Sequence, residues 1–437
     1  MGKPRRPLRS AAALLLALST AVSALAACGS DAGGGVTTIT FWDDNGGPAR
    51  TPVWQHIIAE FEKANPTVKV EYVGIPIAQA QQKYDTAVAG GGLPDVGGVT
   101  TAMLANLVPQ RALEPVDDKV AASPIAGQLN ERIVASVRQT VPDGKLYLVP
   151  ISTNTGVFWA RKDWLAEAGL PVPETWDQLF TAIERFTAPG ENRYGFTLRG
   201  GAGSIAQMLE VVYGQSGITK MFEADGRSTV NDPRNVVALE RLAGLYKRFT
   251  PEADLTNDYA KMVAQFGGGN IGVMQHNVGS YQDQVKALGA EKVVALPVPK
   301  AADGTRAVLS HPTTGLGVFA QGEHADAAFK FAEFAASPPM NTYWAEKTGV
   351  LPVNSEVTPS DPANPQPGVT LAKVLAEPST TMVQMPYHLP EFNSITKTES
   401  EPAFQKVLLG ELSAKDFLDE LAGKLGRAQV EYQQRTG

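Results

Sequence analysis

VTTITFWDDNGGPARTPVWQHIIAEFEKANPTVKVEYVGI, residues 36–75, alternates two kinds of text. Its first seven residues, VTTITFW, are rich in β-branched and aromatic side chains and read as a strand. Thr51 followed by Pro52 is a helix start with proline in the first turn. Trp54, Ile57, Ile58 and Phe61 then recur at helical spacing as far as Ala64, and Pro66 ends the run. VKVEYVGI, from Val68, is a second strand. Strand alternating with helix predicts a mostly parallel sheet covered on both faces, so the fold class is α/β.

The same grammar continues outward. A helix is expected through AQAQQKYDTAVAG, then a glycine-rich turn, GGLPDVGG, from Gly91, then a helix from Thr101. LYLVP (146–150) and TGVFWA (155–160) read as short strands separated by a polar link, ISTN. Thr175 to Gln178, TWDQ, fits a capping box, the threonine accepting from the backbone and the glutamine reaching back. Mostly helical text follows past Asn257, broken by GFTL (195–198) and IGVM (271–274). Strand signals return in VVALPVP from Val293 and GLGVFA from Gly315, before AFKFAEFAA and a helical tail. The proline-rich PSDPANPQPG, residues 359–368, reads as an exposed loop. A chain of 437 residues exceeds the size at which one core splits into two. The first-lobe text stops at Pro150 and resumes near Val293, so the chain is expected to cross between lobes more than once. On this reading residues 36–150 and 292–338 build the first lobe, and 151–291 and 339–437 the second.

Residues 23–30, SALAACGS, hold the only cysteine, Cys28. Lys3, Arg5, Arg6 and Arg9 precede an apolar run from Ala11 to Ala27, the build of a secretory signal peptide over residues 1–27 and too short for a membrane span. Leu25, Ala26, Ala27 and Cys28 resemble the lipobox of bacterial lipoproteins. That implies a diacylglycerol on the Cys28 sulfur, cleavage before it, and attachment to the outer face of the cytoplasmic membrane without a spanning helix. Residues 28–35 then serve as the lipidated cysteine and a flexible glycine-rich tether. Removing the leader takes four of the 38 basic residues and leaves 34 against 45 acidic ones, a net charge of −11. That balance disfavours nucleic acid, whose binding needs clustered Lys and Arg. With no cysteine beyond Cys28, the body cannot contain a disulfide.

Seven phrases, in order, resemble the extracellular solute-binding proteins of carbohydrate ABC importers, the group that includes the maltose and glycerol-phosphate binding proteins. They are ITFW at Ile39, FEKANPTVKVEYV at Phe61, AVAGGGLPDV at Ala87, DGKLYLVP at Asp143, RKDWLAEAGLPVPETWDQL at Arg161, ALPVPKAADG at Ala295 and NTYWAEKTGVLPVN at Asn341. The resemblance implies a two-lobed, periplasmic-binding-protein-like fold with a hinge and a ligand cleft between the lobes. It also implies a sugar or small oligosaccharide as ligand, a permease of an ABC transporter as partner, and neither cofactor nor metal.

Within that frame, Asp43, Asp44 and Asn45 leave the first strand beside Trp42. They either accept from sugar hydroxyls while Trp42 offers an apolar face, or satisfy a local turn. Asn154 is read as a ligand contact in preference to a tie for the hinge backbone. The resemblance adds His276, Asn277 and Ser280 from QHNVGSY, His311 and Thr313 from SHPTTG, and Tyr387 and His388 from MPYHLPEF. Arg199, in TLRGGAGS, is expected to hydrogen-bond a sugar or pair with an acid. Relatives that bind malto-sugars stack them on tryptophans, yet TLRGGAGS has none and Ser280 stands where one is expected, which argues against a malto-oligosaccharide. Trp164, Trp176 and Trp344 fall in helical text and are assigned to packing.

The alternative is an exported carbohydrate-active hydrolase anchored as a lipoprotein. Two carboxylates suffice for glycoside hydrolysis, but no distinctive enzyme motif appears. The chain lacks G-x-S-x-G and H-E-x-x-H, and its histidines, at 56, 276, 311, 324 and 388, have no metal-ligand spacing. Gly267, Gly269 and Gly272 spell G-x-G-x-x-G but precede a strand instead of following one into a helix. The expectation is a binding protein and not an enzyme.

Overall fold

The computed structural model describes residues 35–361 and 366–436. Cys28, the leader and most of the tether lie outside the described residues. Twelve strands run in chain order: β1 Thr37–Asp43, β2 Val68–Gly74, β3 Val96–Thr100, β4 Val149–Thr153, β5 Gly156–Arg161, β6 Tyr194–Thr197, β7 Ile271–Asn277, β8 Val293–Pro297, β9 Arg306–Leu309, β10 Thr314–Val318, β11 Leu351–Pro352 and β12 Thr380–Val383.

They form a six-stranded sheet in the order β11-β4-β10-β3-β1-β2, a four-stranded sheet β6-β7-β5-β8, and a small parallel pair, β9 with β12. In the larger sheet β1 lies parallel to β2 and β3, whereas β10 runs antiparallel to β3 and β4 and β11 antiparallel to β4. The sheet is therefore mixed where a mostly parallel one was expected. The parallel part is the opening strand, helix, strand text, with its helix at Thr51–Ala64 and Pro52 in the first turn.

Two separate apolar cores sit on these sheets. In the first, Trp54 of that helix packs edge-on to Phe41 at 4.7 Å and against Trp344 at 4.6 Å, with Phe61 and Phe331 beside them. In the second, Phe158 of β5 meets Trp176 edge-on at 5.3 Å, and Trp164 meets Phe186 at 5.7 Å. Trp164, Trp176 and Trp344 are buried as packing residues. Thr175 and Gln178 complete the capping box on the helix Trp176–Phe186.

Sheet membership moves several segments relative to the boundaries above. β8 was placed in the first lobe, but it pairs with β5 in the four-stranded sheet. Helix Pro338–Thr348 was placed in the second lobe, yet its Trp344 fills the first core. Ser152 and Thr153, read as a polar link, are the end of β4, where β10 and β11 hydrogen-bond to either side. The sequence reading does not include β9 and β12, because strands of four residues are too short to show a period. The chain passes from one core to the other at Asn154–Thr155, at Ser310–Thr313 and again after Val353.

Two glycines of β3 bring the first lobe's polar loop close. A Cβ on Gly97 would lie 2.3 Å from the Tyr84 hydroxyl, and one on Gly98 would lie 2.4 Å from Asp44 Oδ1. The bare backbone lets a tyrosine pack on one face of the strand and a carboxylate on the other.

Candidate functional site

β6 and β7 are parallel, and their carboxyl ends point the same way. Arg199 follows β6 after one further residue, and His276 and Asn277 end β7. The carboxyl ends of parallel strands are where open α/β sheets leave a crevice. Here the crevice is a cavity of about 400 Å³. Ala102, just after β3, and His311 with Pro312, on the second crossing, close it from the side of the six-stranded sheet. Tyr387, Glu210 and Glu401 close it from the other side.

The walls contain hydrogen-bonding capacity that nothing in the protein uses. His276 is 2 % exposed, and its ring nitrogens meet only the backbone of Asn277 and Tyr259. Arg199 Nε, Glu210 Oε1 and Asn277 Oδ1 are buried without hydrogen-bond partners. Each such atom costs about 1–3 kcal/mol when left unmade. The remaining polar groups are held in place. Glu210 Oε2 accepts from Gln275 Nε2 at 3.2 Å, and His311 Nε2 stands 3.6 Å from Glu210 Oε1. Gln207 and Gln275 each donate through the side-chain amide to the other's backbone carbonyl. The Tyr387 hydroxyl donates to the Ser310 carbonyl at 3.2 Å. Gly156 faces the Glu210 carboxylate so closely that a Cβ there would lie 1.9 Å from Oε2.

Charge in the cavity is balanced: Arg199 and Lys397 against Glu210 and Glu401. Glu401 also accepts from the Gly203 backbone at the start of the helix Ser204–Ser216. Burial, and then the Arg199 charge, push the His276 pKa down to about 3, so the ring is neutral. Burial lowers Arg199 itself. Burial and the Glu210 charge raise Tyr387, which stays protonated. Tyr259 packs on the His276 ring at 4.1 Å and faces the Arg199 guanidinium at 5.7 Å.

A neutral buried histidine makes stability depend on pH. Unfolded His276 takes up a proton below about pH 6.5, whereas the folded ring resists until about pH 3, so stability is full above 6.5 and is lost as the pH falls through that window. His276→Gln is expected to remove about 2 kcal/mol of the difference in unfolding free energy between pH 7 and pH 5. Denaturant titrations of both proteins at the two pH values check this.

Of the residues read from sequence, Arg199, His276, Asn277, His311 and Tyr387 converge on this cavity. Asn154 lies beside the Asn277 loop, near Gly279, and its Oδ1 accepts from the Thr155 backbone. The others are occupied elsewhere. Asp43 and Asp44 share Arg50, at 3.2 Å and 3.1 Å, and Asp43 also accepts from the Tyr72 hydroxyl and the Asn45 backbone. The burial that raises the Asp44 pKa outweighs the opposing pull of Arg50. Trp42 lies under Lys83, 4.2 Å from its ring. Ser280 Oγ donates to the Asn277 carbonyl, and the Thr313 backbone donates to Thr101. His388 does not line this cavity but another one.

Glu210, Gln207 and Glu401 were missed. Glu210 carried a usable signal: it is the one acid in the apolar run MLEVVY, where an unpaired charge has no packing reason to be. No group of three or more His, Cys, Asp or Glu side chains able to hold a metal occurs among the described residues.

A family described as bacterial extracellular solute-binding protein matches residues 56–370, well over half of the chain. The chain belongs to that family. Among its relatives, the mannitol-binding protein of Pseudomonas aeruginosa is 25 % identical over 392 residues, covering 83 % of this chain and 87 % of that one. The GacH receptor of Streptomyces glaucescens, solved unliganded and with acarbose, superposes with a TM-score of 0.72 at 25 % identity over 91 % of this chain and 98 % of that one. The sugar-binding protein MalE of Xanthomonas citri gives a TM-score of 0.75 at 23 % identity, with 91 % and 98 % covered, and shares the fold. The two-lobed, periplasmic-binding-protein-like architecture expected from the sequence is thus the architecture found, and the family is one of exported binding proteins. Among the described residues no helix is long and apolar enough to cross a membrane.

Proposed function

We propose that this extracellular solute-binding protein captures a neutral sugar, sugar alcohol or small oligosaccharide in the cavity between its lobes. One observation carries the reading. The buried, unpartnered polar atoms of Arg199, Glu210 and Asn277 gather in the walls of one cavity, beside the neutral His276 ring. They combine donors with acceptors, and the charges around them balance. A polyhydroxylated, uncharged ligand supplies both kinds of partner without adding charge to a low-dielectric site. The mannitol-binding relative, similar over most of the chain, supports the same chemical class.

Thermal-shift screening against mono- and disaccharides and hexitols tests the reading. A ligand bound only by the folded protein stabilises it by about 2.7 kcal/mol at a hundredfold excess over Kd. A panel in which only amino acids, peptides or metal ions raise the midpoint would overturn it.

Delivery to an ABC permease follows as the purpose of capture. The ligand selects a closed arrangement of the lobes because Ala102, His311 and the β6–β7 ends contact it from different sides, and a ligand shifts a conformational equilibrium only by its differential affinity. Lipid on Cys28 would keep the protein at the membrane face where that permease sits. Cys28→Ala is expected to leave folding and sugar binding unchanged and to move the protein from the membrane fraction to the medium; fractionation and blotting check this.

A further inference from the structure

His388, a ligand candidate from the sequence, lies in the turn that follows β12 and faces away from the cleft. Along Met382–His388, Met385 and Tyr387 line the cleft cavity while Met382, Gln384 and His388 line a second one, of about 780 Å³. The chain turns at Pro386, where the Tyr387 N–H donates to the Met385 carbonyl and the Leu389 N–H to the Pro386 carbonyl, and this one stretch of backbone lines both cavities. The second is built from both halves of the fold: Gln139 and Val141 come from the first core's side, Gln429 and Tyr432 from the C-terminal helix.

Its lining has an unusual chemistry for a surface crevice on an acidic protein. Four glutamine amides, at 139, 384, 429 and 433, face it together with the rings of Tyr432 and His388, which lie 4.8 Å apart. Among the described residues Lys220 is the only charged side chain in the lining, and no carboxylate side chain takes part. Gln139 and Gln433 each present a donor and an acceptor side by side, the arrangement that adjacent hydroxyls match, whereas Gln384 is engaged by Ser136 and the Met385 carbonyl and Gln429 Oε1 by His388. The aromatic rings offer an apolar face. His388 Nε2 lies 2.7 Å from Gln429 Oε1, which fixes the hydrogen on Nε2, and burial lowers the pKa so that the ring is neutral. Nδ1 is then an acceptor, and it is buried without a partner. A cation finds no counter-charge here, and a polyphosphate would find one lysine.

We propose that this second cavity is a binding site for a neutral polyhydroxylated compound, separate from the cleft. The proposal rests on the cavity's own lining and not on the reading of the cleft. Mannitol and maltose serve as probes, followed by isothermal titration and by hydrogen–deuterium exchange, which locates where protection falls.

In an Arg199→Ala, Glu210→Ala double variant with the cleft disabled, millimolar probe is expected to protect the backbone around Gln139–Pro142 and the C-terminal helix. Adding Tyr432→Ala and Gln433→Ala should weaken that residual binding about tenfold or more. The same two substitutions in the otherwise unaltered chain should leave cleft affinity within about twofold. Absence of protection at these segments with both probes overturns the proposal, and so does protection that survives Tyr432→Ala and Gln433→Ala. Should the double variant bind as tightly as the unaltered chain, the cleft reading fails, and the Tyr432 and Gln433 substitutions still judge the second site.

Discussion

Arg50→Ala is expected to destabilise the protein by about 3–5 kcal/mol at neutral pH, the largest effect of any single substitution in the first lobe's polar loop. Asp43 is fully buried and Asp44 is 4 % exposed, and both depend on this one guanidinium, which also stacks over Trp344 at 4.9 Å. Removing it leaves two like charges together in a low-dielectric site. The loss carries its own signature. Burial already raises the Asp44 pKa against the pull of Arg50, so without Arg50 this carboxyl binds its proton more tightly still when folded; the penalty is greatest above the folded pKa and shrinks as the pH falls toward 4. Chemical denaturation at pH 7 and pH 4.5 should therefore show the gap between Arg50→Ala and the unaltered protein narrowing in acid. A gap independent of pH would mean that Arg50 acts through packing on Trp344 alone.

Glu210→Ala is expected to weaken sugar binding about 10- to 100-fold, the worth of one hydrogen bond to a charged acceptor. Its unpartnered Oε1 stands in the cavity wall beside His311, and its position is enforced by Gln275 and by the bare backbone of Gly156. Stability should respond in the opposite sense. A buried carboxylate with an unmade hydrogen bond is a burden on the fold, so the alanine variant is expected to unfold at the same or a higher denaturant concentration. Loss of affinity with retained stability, measured by titration calorimetry and urea unfolding on one preparation, marks a binding residue. Loss of both would assign Glu210 to the structure of the second lobe.

Much of this was legible from the sequence because the information is local. The strand at Thr37, the helix at Thr51 and the capping box at Thr175 are written in propensities and short-range patterns, and they stand within a residue or two of where they were read. Five ligand candidates meet in one cavity: Arg199, His276 and Asn277 because they follow or end the parallel strands β6 and β7, and His311 and Tyr387 because they stand in the loops that the resemblance places at the cleft. The failures are non-local. No pattern in VVALP says that its partner is β5 and not a strand of the first sheet, since pairing depends on which edge is free after the rest has folded. Asp43 and Asp44 look the same on paper whether they face a sugar or Arg50. His388 faces away from the cleft because the chain turns at Pro386, a local bend that fixes which of Tyr387 and His388 faces the cleft and that the text MPYHLP does not orient.

The order of the six-stranded sheet also bears on how the chain must be made. β10 lies between β3 and β4, so that Thr314 pairs with Thr100 and Leu316 with Val149. A chain emerging from its amino end therefore presents β3 and β4 with a gap between them until residues beyond Val318 arrive. During that interval two strand edges stand open, and the first lobe cannot close until β10 is added. Its core is complete only at Val353, and the second draws on residues as far as Ala428. For an exported protein this delays stable tertiary structure until most of the chain has left the ribosome, which favours a translocation path that threads an unfolded polypeptide and leaves assembly to the far side of the membrane.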